Sequence, residues 1–183
     1  MKKWIVVLYI LVIAGANVAT ASIAPLSFGV LLVPAGSFLI GATFILRDLV
    51  QNAVGRRRTY LTIGAAMALS AVVSCLLGDT LWIVFASAIS FLVSETTDTE
   101  IYSRLKLPMA FRVMYSGMVG GALDSALFVV VGLSPLGAGF LPWGAVGYAI
   151  LGQVLVKTII QLLGALGVHI LLRMNAFGNK LGI

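Results

Sequence analysis

The chain has 183 residues, of which 61% are hydrophobic and 10% are charged, and its mean hydropathy is +1.11. Since a soluble domain usually carries about a quarter charged residues, this composition excludes a soluble protein and indicates an all-α integral membrane protein. A spanning helix needs roughly 20 apolar residues, so the length suffices for about six spans, and we predict a single membrane domain over residues 1–183.

Six apolar segments are predicted to span the membrane. The first follows two lysines, like a signal peptide, but its apolar run continues and further spans follow, so we expect an uncleaved helix. The second is predicted to start near Val30 with Pro34 in its first turn, where a missing N–H matters least. The predicted bounds are 4–21, 30–52, 60–77, 81–105, 110–133 and 145–173.

The fourth segment raises the question of where its helix ends. Its purely apolar part, 81–93, reaches only about 20 Å at helical rise, which is too short for a hydrocarbon core of ~30 Å. The next residues, SETTDTEIYSRLK (94–106), contain no helix breaker, and the first proline is Pro108. We therefore expect this polar stretch to form the last turns of the helix rather than a water-exposed loop.

The distribution of Lys and Arg predicts the orientation. With six spans, nine basic residues fall on one side, and the loops on the other side, at about 22–29, 78–80 and 134–144, contain none. This asymmetry favours a bundle of six helices with both termini cytoplasmic, in the cytoplasmic membrane. The net charge of +6 then reflects topology and anionic lipid, and no nucleic-acid partner is expected. The nine residues are Lys2, Lys3, Arg56, Arg57, Arg58, Arg104, Lys106, Arg173 and Lys180.

Ionisable side chains lie well inside two of these segments, where a charge is costly and commonly marks a transport path or a binding site. Asp124 is in the middle of the fifth segment. Lys157 is near the middle of the sixth, too far from an interface to reach water by snorkelling. A buried ion pair between the two and a role in binding are both compatible with these positions. Gly117 and Gly121 are expected to let a neighbouring helix pack closely on the fifth segment.

Further polar residues recur at helical spacing, so that each set faces one direction. Glu95 and Asp98 share a face of the fourth segment, and Gln153, Lys157 and Gln161 repeat every four residues on the sixth. We interpret these residues, with the one amide of the first segment, as the walls of a binding site. The predicted substrate-binding residues are Asn17, Glu95, Asp98, Asp124, Gln153, Lys157 and Gln161.

Arg47 and Asp48 are adjacent on the second segment, near its cytoplasmic end. Successive residues of a helix point about 100° apart, so we expect at most one of the two to face the interior. Anchoring at the membrane interface is the expected role of Arg47, whereas Asp48 is compatible with either location.

Carboxylates, amides and a lysine from several helices describe a small polar cavity, which suits a small neutral solute that forms hydrogen bonds. Paired donors, such as N1–H and the exocyclic amine of guanine, match one carboxylate through two bonds, whereas an anion would more naturally meet arginines. The sequence has no phosphate-binding loop and no H-E-x-x-H motif. One histidine, His169, and one cysteine, Cys75, cannot form a metal site. We therefore expect no cofactor, no metal and no enzymatic activity.

Four motifs and a lysine occur in order along the chain. They are GANVA around Asn17, RDLVQNAVGRRRTY from Arg47, SETTDTEIYSRLK from Ser94, RVMYSGMVGGALDSALF from Arg112, and Lys157. Together they resemble the bacterial queuosine-precursor transporters, also called the vitamin uptake transporter family. The resemblance implies a six-helix bundle that imports 7-deazaguanines such as 7-cyano-7-deazaguanine, with motif positions at Asn17, Asp48, Glu95, Asp98, Asp124 and Lys157. The chain departs from the family pattern at residues 51–52, where Gln-Asn replaces an expected acidic residue. A different substrate is therefore also compatible with the sequence.

Three functions are compatible with these features. The first is nucleobase uptake by the chain alone, driven by the solute gradient, by an ion gradient with buried carboxylates as proton carriers, or by trapping. The second is a substrate-binding membrane subunit for another vitamin-like solute that needs a separate ATPase. The third is a non-transporting scaffold or an acid-dyad intramembrane enzyme, although a scaffold would not require the interior lysine and carboxylates. The expected partners are a purine-like small molecule and the lipid bilayer, and a homo-oligomer is compatible with the sequence.

Overall fold

The structure is a computed structural model that describes residues 2–181, with side chains described for residues 3–174. Within 2–181 it contains six α-helices and one β-hairpin. Met1, Gly182 and Ile183 of the predicted domain lie outside the described residues, as do the side chains of Lys2 and Lys180. The elements are α1 (Lys2–Ser22), β1 (Leu26–Phe28), β2 (Leu31–Val33), α2 (Gly36–Val54), α3 (Arg56–Leu76), α4 (Leu81–Arg104), α5 (Met109–Leu127), its π-helical continuation Phe128–Leu133, and α6 (Trp143–Leu181).

Five helical segments of the described chain are long and apolar enough to cross a membrane, which agrees with the predicted helical membrane bundle. They are Lys3–Ser22, Arg56–Leu76, Leu81–Arg104, Met109–Leu133 and Trp143–Met174. The remaining helix, α2, has 19 residues and carries Arg47, Asp48, Gln51 and Asn52. It packs against each of the other five helices. Its central place explains its composition, because the neighbouring helices rather than lipid surround its polar side chains.

The second helix begins later than predicted, at Gly36 rather than near Val30. The chain reverses at Gly29, whose φ of +63° is a conformation that glycine adopts readily, and Leu26 then pairs with Val33 in an antiparallel register. Pro34 follows this hairpin and precedes the first turn of α2 instead of lying in it. The prediction failed here because an apolar run of this length fits a strand as well as a helix.

The polar stretch after residue 93 is helical, as predicted, since α4 continues to Arg104 and ends before Pro108. Its start is capped by Thr80, whose hydroxyl accepts a hydrogen bond from the Ile83 N–H at 3.3 Å. Glu95 and Asp98 are buried within the bundle. These acidic residues therefore belong to the interior of the protein and not to a loop.

The fifth segment also has the predicted extent, but its last turns, Phe128–Leu133, form a π-helix. A π-helical turn is wider than an α-helical one and leaves backbone groups without their usual partners. The Trp82 indole on α4 donates a hydrogen bond to the Val131 carbonyl at 2.7 Å. This contact holds the start of α4 against the end of the fifth segment.

Close helix packing depends on a few glycines whose missing side chains leave room for a neighbour. A Cβ on Gly36 would collide with the Thr20 hydroxyl and the Ala16 carbonyl of α1. On α5, Gly117 lies against the Gln161 amide and Gly121 against Lys157 of α6. The expectation that these two α5 glycines permit close packing is confirmed.

We predict that Gly36→Ala destabilises the protein by about 1–3 kcal/mol, because the added methyl group must displace the backbone of α1. Gly64→Ala on α3 is the matched control, since a Cβ there would meet no other atom within 4 Å. Thermal unfolding of the purified protein in detergent should give a lower Tm for Gly36→Ala than for Gly64→Ala. Equal Tm values for the two variants would contradict the tight contact between α1 and α2.

Candidate functional site

Buried polar side chains form two groups inside the bundle. We call them the Lys157 group (Asp124, Ser125, Gln153 and Lys157) and the Arg47 cluster (Arg47, Asp48, Glu95 and Asp98). The first lies beside a cavity, and the second is shielded completely from solvent.

Three side chains hold the ammonium of Lys157 between α5 and α6. The Lys157 Nζ lies 2.6 Å from Asp124 Oδ2, and it donates hydrogen bonds to Ser125 Oγ at 2.9 Å and to Gln153 Oε1 at 3.5 Å. The buried ion pair that the sequence allowed is therefore present. It neutralises both charges in a part of the protein where an unpaired charge would be costly.

The cavity beside this group has a volume of about 90 Å³ and is bounded by residues of all six helices. It lies where α1 and α3 end and where α2, α4 and α6 begin, which is the end of the bundle whose loops contain no Lys or Arg. Its walls include Ile13, Ile40, Phe91 and Phe128 as apolar surfaces. The polar residues in its walls are Asn17, Thr20, Ser37, Ser70, Ser74, Asp79, Ser87, Ser90, Asp124, Gln153 and Lys157.

Several polar atoms at the cavity are left available to a bound molecule. Gln153 is 2% exposed, and its Nε2 has no hydrogen-bond partner among the described residues. The Asn17 amide is fixed in orientation because its Nδ2 donates to the Ser70 hydroxyl at 2.8 Å and to the Ser70 carbonyl at 3.1 Å. The cavity thus offers an amide donor from Gln153 and carbonyl or carboxylate acceptors from Asn17 and Asp124.

The predicted binding residues divide between three places. Asn17, Asp124, Gln153 and Lys157 line the cavity. Glu95 and Asp98 belong to the Arg47 cluster. Gln161 is in neither group, since its amide donates to the Val113 carbonyl and packs on Gly117. His169 is exposed on α6.

Arg47 occupies the centre of its cluster. Its guanidinium lies 2.8 Å from Asp48 Oδ1 and 3.4 Å from Glu95 Oε2, and it also forms an ion pair with Asp98. Further hydrogen bonds join Arg47 Nη1 to Gln51 Oε1 at 3.0 Å and to Thr99 Oγ1 at 3.3 Å. One guanidinium therefore links α2 to α4.

The expectation that Arg47 anchors at the membrane interface is wrong, because its side chain has no exposed surface. The expectation that at most one of Arg47 and Asp48 faces the interior is wrong for the same structural reason. Both side chains are buried because α2 has helices on every side. A central helix has no outward face to which one of two adjacent residues could be directed.

The Arg47 cluster lies between the cavity and the basic end of the bundle. Phe91 lines the cavity, and Glu95 is one helical turn further along α4. Beyond the cluster, Gln51 Nε2 donates to Ser103 Oγ at 2.8 Å, and the Arg112 guanidinium lies 4.5 Å from the centre of the Tyr102 ring. Side-chain contacts therefore fill the interior of this half around the Arg47 cluster, whereas the cavity beside the Lys157 group lies in the other half.

Metal binding finds no support in the described part of the chain, where no group of three or more His, Cys, Asp or Glu side chains is arranged to hold an ion. The three carboxylates of the Arg47 cluster surround a guanidinium, which already occupies the position that a cation would need. Cys75 is exposed.

Comparison with known proteins gives one match. A family model with the description "Putative vitamin uptake transporter" matches residues 34–171, well over half of the chain. The matched range includes the whole Arg47 cluster and the Lys157 group, whereas Asn17 precedes it. Searches of curated proteins and of solved structures found no match.

We predict that Lys157→Met is destabilising by about 3–5 kcal/mol, because it leaves Asp124 charged and unpaired inside the bundle. The double variant Lys157→Met/Asp124→Asn removes both charges and should recover most of the loss. Thermal unfolding of the three proteins in detergent measures the difference. A double variant no more stable than Lys157→Met would show that the ion pair does not account for the cost.

Proposed function

The chain belongs to the vitamin uptake transporter family, and from this premise we propose that it imports a small purine-like solute across the cytoplasmic membrane. The proposed solute is a 7-deazaguanine precursor of queuosine, such as 7-cyano-7-deazaguanine. The observation that carries this proposal is the polar cavity, in which Gln153 offers a buried donor that has no partner in the described part of the chain, beside the Asp124 carboxylate. A scaffold protein would have no use for an unsatisfied donor in a membrane interior.

The arrangement of donors and acceptors suits one edge of a 7-deazaguanine. N1–H and the exocyclic amine of the base can donate to Asp124, and the O6 carbonyl can accept from Gln153 Nε2. Phe91 and Phe128 supply apolar walls for the faces of a flat ring. The small cavity volume favours a single planar base over a nucleotide or a lipid.

The side of the membrane to which the cavity opens is inferred from the charge of the two ends of the bundle. If the basic end faces the cytoplasm, the cavity opens from the outside, and the Arg47 cluster closes the cytoplasmic half. Six spans with both termini in the cytoplasm are part of this proposal. Release of the solute into the cell then requires α2 and α4 to separate at the Arg47 cluster while the outer end closes around the emptied cavity.

We expect 7-cyano-7-deazaguanine to stabilise the purified protein against heat, by about 2.7 kcal/mol at a hundredfold excess over its Kd. Guanine and adenine serve as comparison compounds, and adenine should be weaker because it lacks the N1–H and exocyclic amine pair of guanine. Absence of stabilisation by every 7-deazaguanine and purine in the panel would contradict the proposed substrate class.

Gln153→Met tests the proposed donor, and Gln161→Met is its matched control on the same helix. Losing the Gln153 donor should cost about 1–3 kcal/mol of binding, which is a loss of affinity of about 5- to 150-fold. Gln161→Met should leave the affinity close to that of the unmodified protein, because Gln161 does not line the cavity. An equal loss in both variants would place the solute elsewhere.

A further inference from the structure

The Arg47 cluster contains more negative than positive groups. Asp48, Glu95 and Asp98 contribute three carboxyl groups, while Arg47 contributes one guanidinium, and none of the four side chains has more than 1% of its surface exposed. If all three carboxyl groups were ionised, the cluster would hold two negative charges in excess. Such charges are not tolerated in a dry interior without compensation.

Neighbouring helices supply at most one of the two missing positive charges. On α5, Arg112 is only partly buried and stacks on Tyr102 of α4, so it could offset one charge at most. Asp124 of α5 and Lys157 of α6 neutralise one another. Tyr9 is the titratable residue that α1 brings to the cluster, and on α3 Arg56 and Tyr60 instead contact Glu100 at the surface.

Glu95 is the carboxyl group that Arg47 satisfies least. Both oxygens of Glu95 and both of Asp98 lack a hydrogen-bond partner among the described residues, but Asp98 and Asp48 lie closer to Arg47 than Glu95, whose distance is 3.4 Å. The Tyr9 hydroxyl faces the Glu95 carboxyl, is fully buried, and also has no partner by hydrogen-bond geometry. Two facing oxygens need a hydrogen between them, which the phenol or a protonated carboxyl can provide.

We propose that the Arg47 cluster is a proton-binding site with Glu95 as the exchanging carboxyl, and that its proton enters the cell together with the solute. This inference rests on the proposed transport function. A proton fits the site better than a metal cation because the guanidinium of Arg47 already fills the centre of the carboxyl groups. Glu95 is fully buried and lies one helical turn from the cavity residue Phe91, so a proton can reach it from the cavity only when a movement near Phe91 admits water.

The proposed cycle moves one proton per solute molecule. Glu95 takes a proton from water that this movement admits from the outward cavity, which removes one excess charge and lets α2 and α4 pack together. Separation of α2 from α4 at the cytoplasmic side admits water, and the Glu95 proton passes to that water. The carboxylate that remains is then solvated by the water admitted between α2 and α4 until the cavity again opens outward.

The chain has only two glutamates, Glu95 and Glu100, which permits a test on one carboxyl group. The variant Glu100→Gln, made by cell-free synthesis with glutamate labelled by carbon-13 at the side-chain carboxyl, gives a single glutamate signal. We expect the signal of a protonated carboxyl at neutral pH in the solute-free protein. A carboxylate signal that is fully ionised at neutral pH and unchanged on mild acidification would overturn the proton site, whatever the transported solute is.

A second measurement tests coupling in vesicles that contain the purified protein and are supplied with 7-cyano-7-deazaguanine. With one proton per solute and the membrane potential clamped, an inward gradient of one pH unit should raise accumulation about tenfold. Glu95→Gln should remove this response, whereas Glu100→Gln should retain it because Glu100 pairs with Arg56 and Arg104 outside the cluster. Uptake that does not depend on the pH gradient would overturn the coupling of proton to solute but leave the transport proposal intact. Absence of uptake by the unmodified protein would overturn the transport proposal, and the carboxyl signal would still decide the proton site.

Discussion

The ion pairs of one buried arginine are the interaction on which the arrangement of the bundle depends. In lipid, helices gain little from hiding apolar surface, so close packing and polar contacts decide how they associate. Arg47 would be costly against lipid, and the carboxyl groups of Glu95 and Asp98 would be costly too. Bringing α2 and α4 together relieves these costs at once. This requirement places α2, which carries Arg47 and Asp48, in the centre, where it contacts each of the five other helices.

Other polar contacts fix the remaining helices around this centre. Lys157 and Asp124 join α6 to α5, and the Asn17 amide joins α1 to α3 through Ser70. Most of the outer surface of the helices is apolar, with large side chains such as Leu61 and Ile159 directed outward. The polar contacts therefore specify which helices are neighbours, while the apolar exterior suits the surrounding lipid. Replacing any one of these polar contacts with an apolar pair would keep the helices compatible with lipid. It would weaken the preference of each helix for its particular neighbour.

Much of this fold follows from the sequence, and the failures have physical causes. The end of α4 was predictable because membrane thickness sets a minimum helix length and because no residue between Ser94 and Lys106 stops a helix. The buried pair of Asp124 and Lys157 was accessible to the same reasoning, since each charge is too deep to reach water. The role of Arg47 could not be predicted in this way, because a helical pattern gives the direction of a side chain but not the number of neighbouring helices.

The residues that line the cavity show a further limit of prediction from the sequence. Ser70, Ser74 and Ser87 line it, yet a serine in a membrane helix can satisfy its hydroxyl on its own backbone and so gives no signal of a site. Gln161 was predicted to line the site because it repeats with Gln153 on one face of α6. The two are eight residues apart, about 12 Å along the helix, and Gln161 instead reaches the backbone of α5. Shared direction on a helix does not imply shared depth in the bundle.

The two polar groups differ in charge balance, and this difference suggests a division of roles. The Lys157 group is neutral as a pair and can keep its contacts whether or not a solute is present. The Arg47 cluster has an excess of carboxyl groups, so its stability depends on what else neutralises them.

α4 connects the two regions, since Phe91 lines the cavity and Glu95 lies in the cluster. On α5, Asp124 reaches the cavity, while Ser116 donates a long hydrogen bond, 3.5 Å, to Asp48. A shift of either helix that accommodates a solute must therefore alter the contacts of the cluster. Coupled binding requires an element with two arrangements that both sites bias, and α4 and α5 each contact both sites.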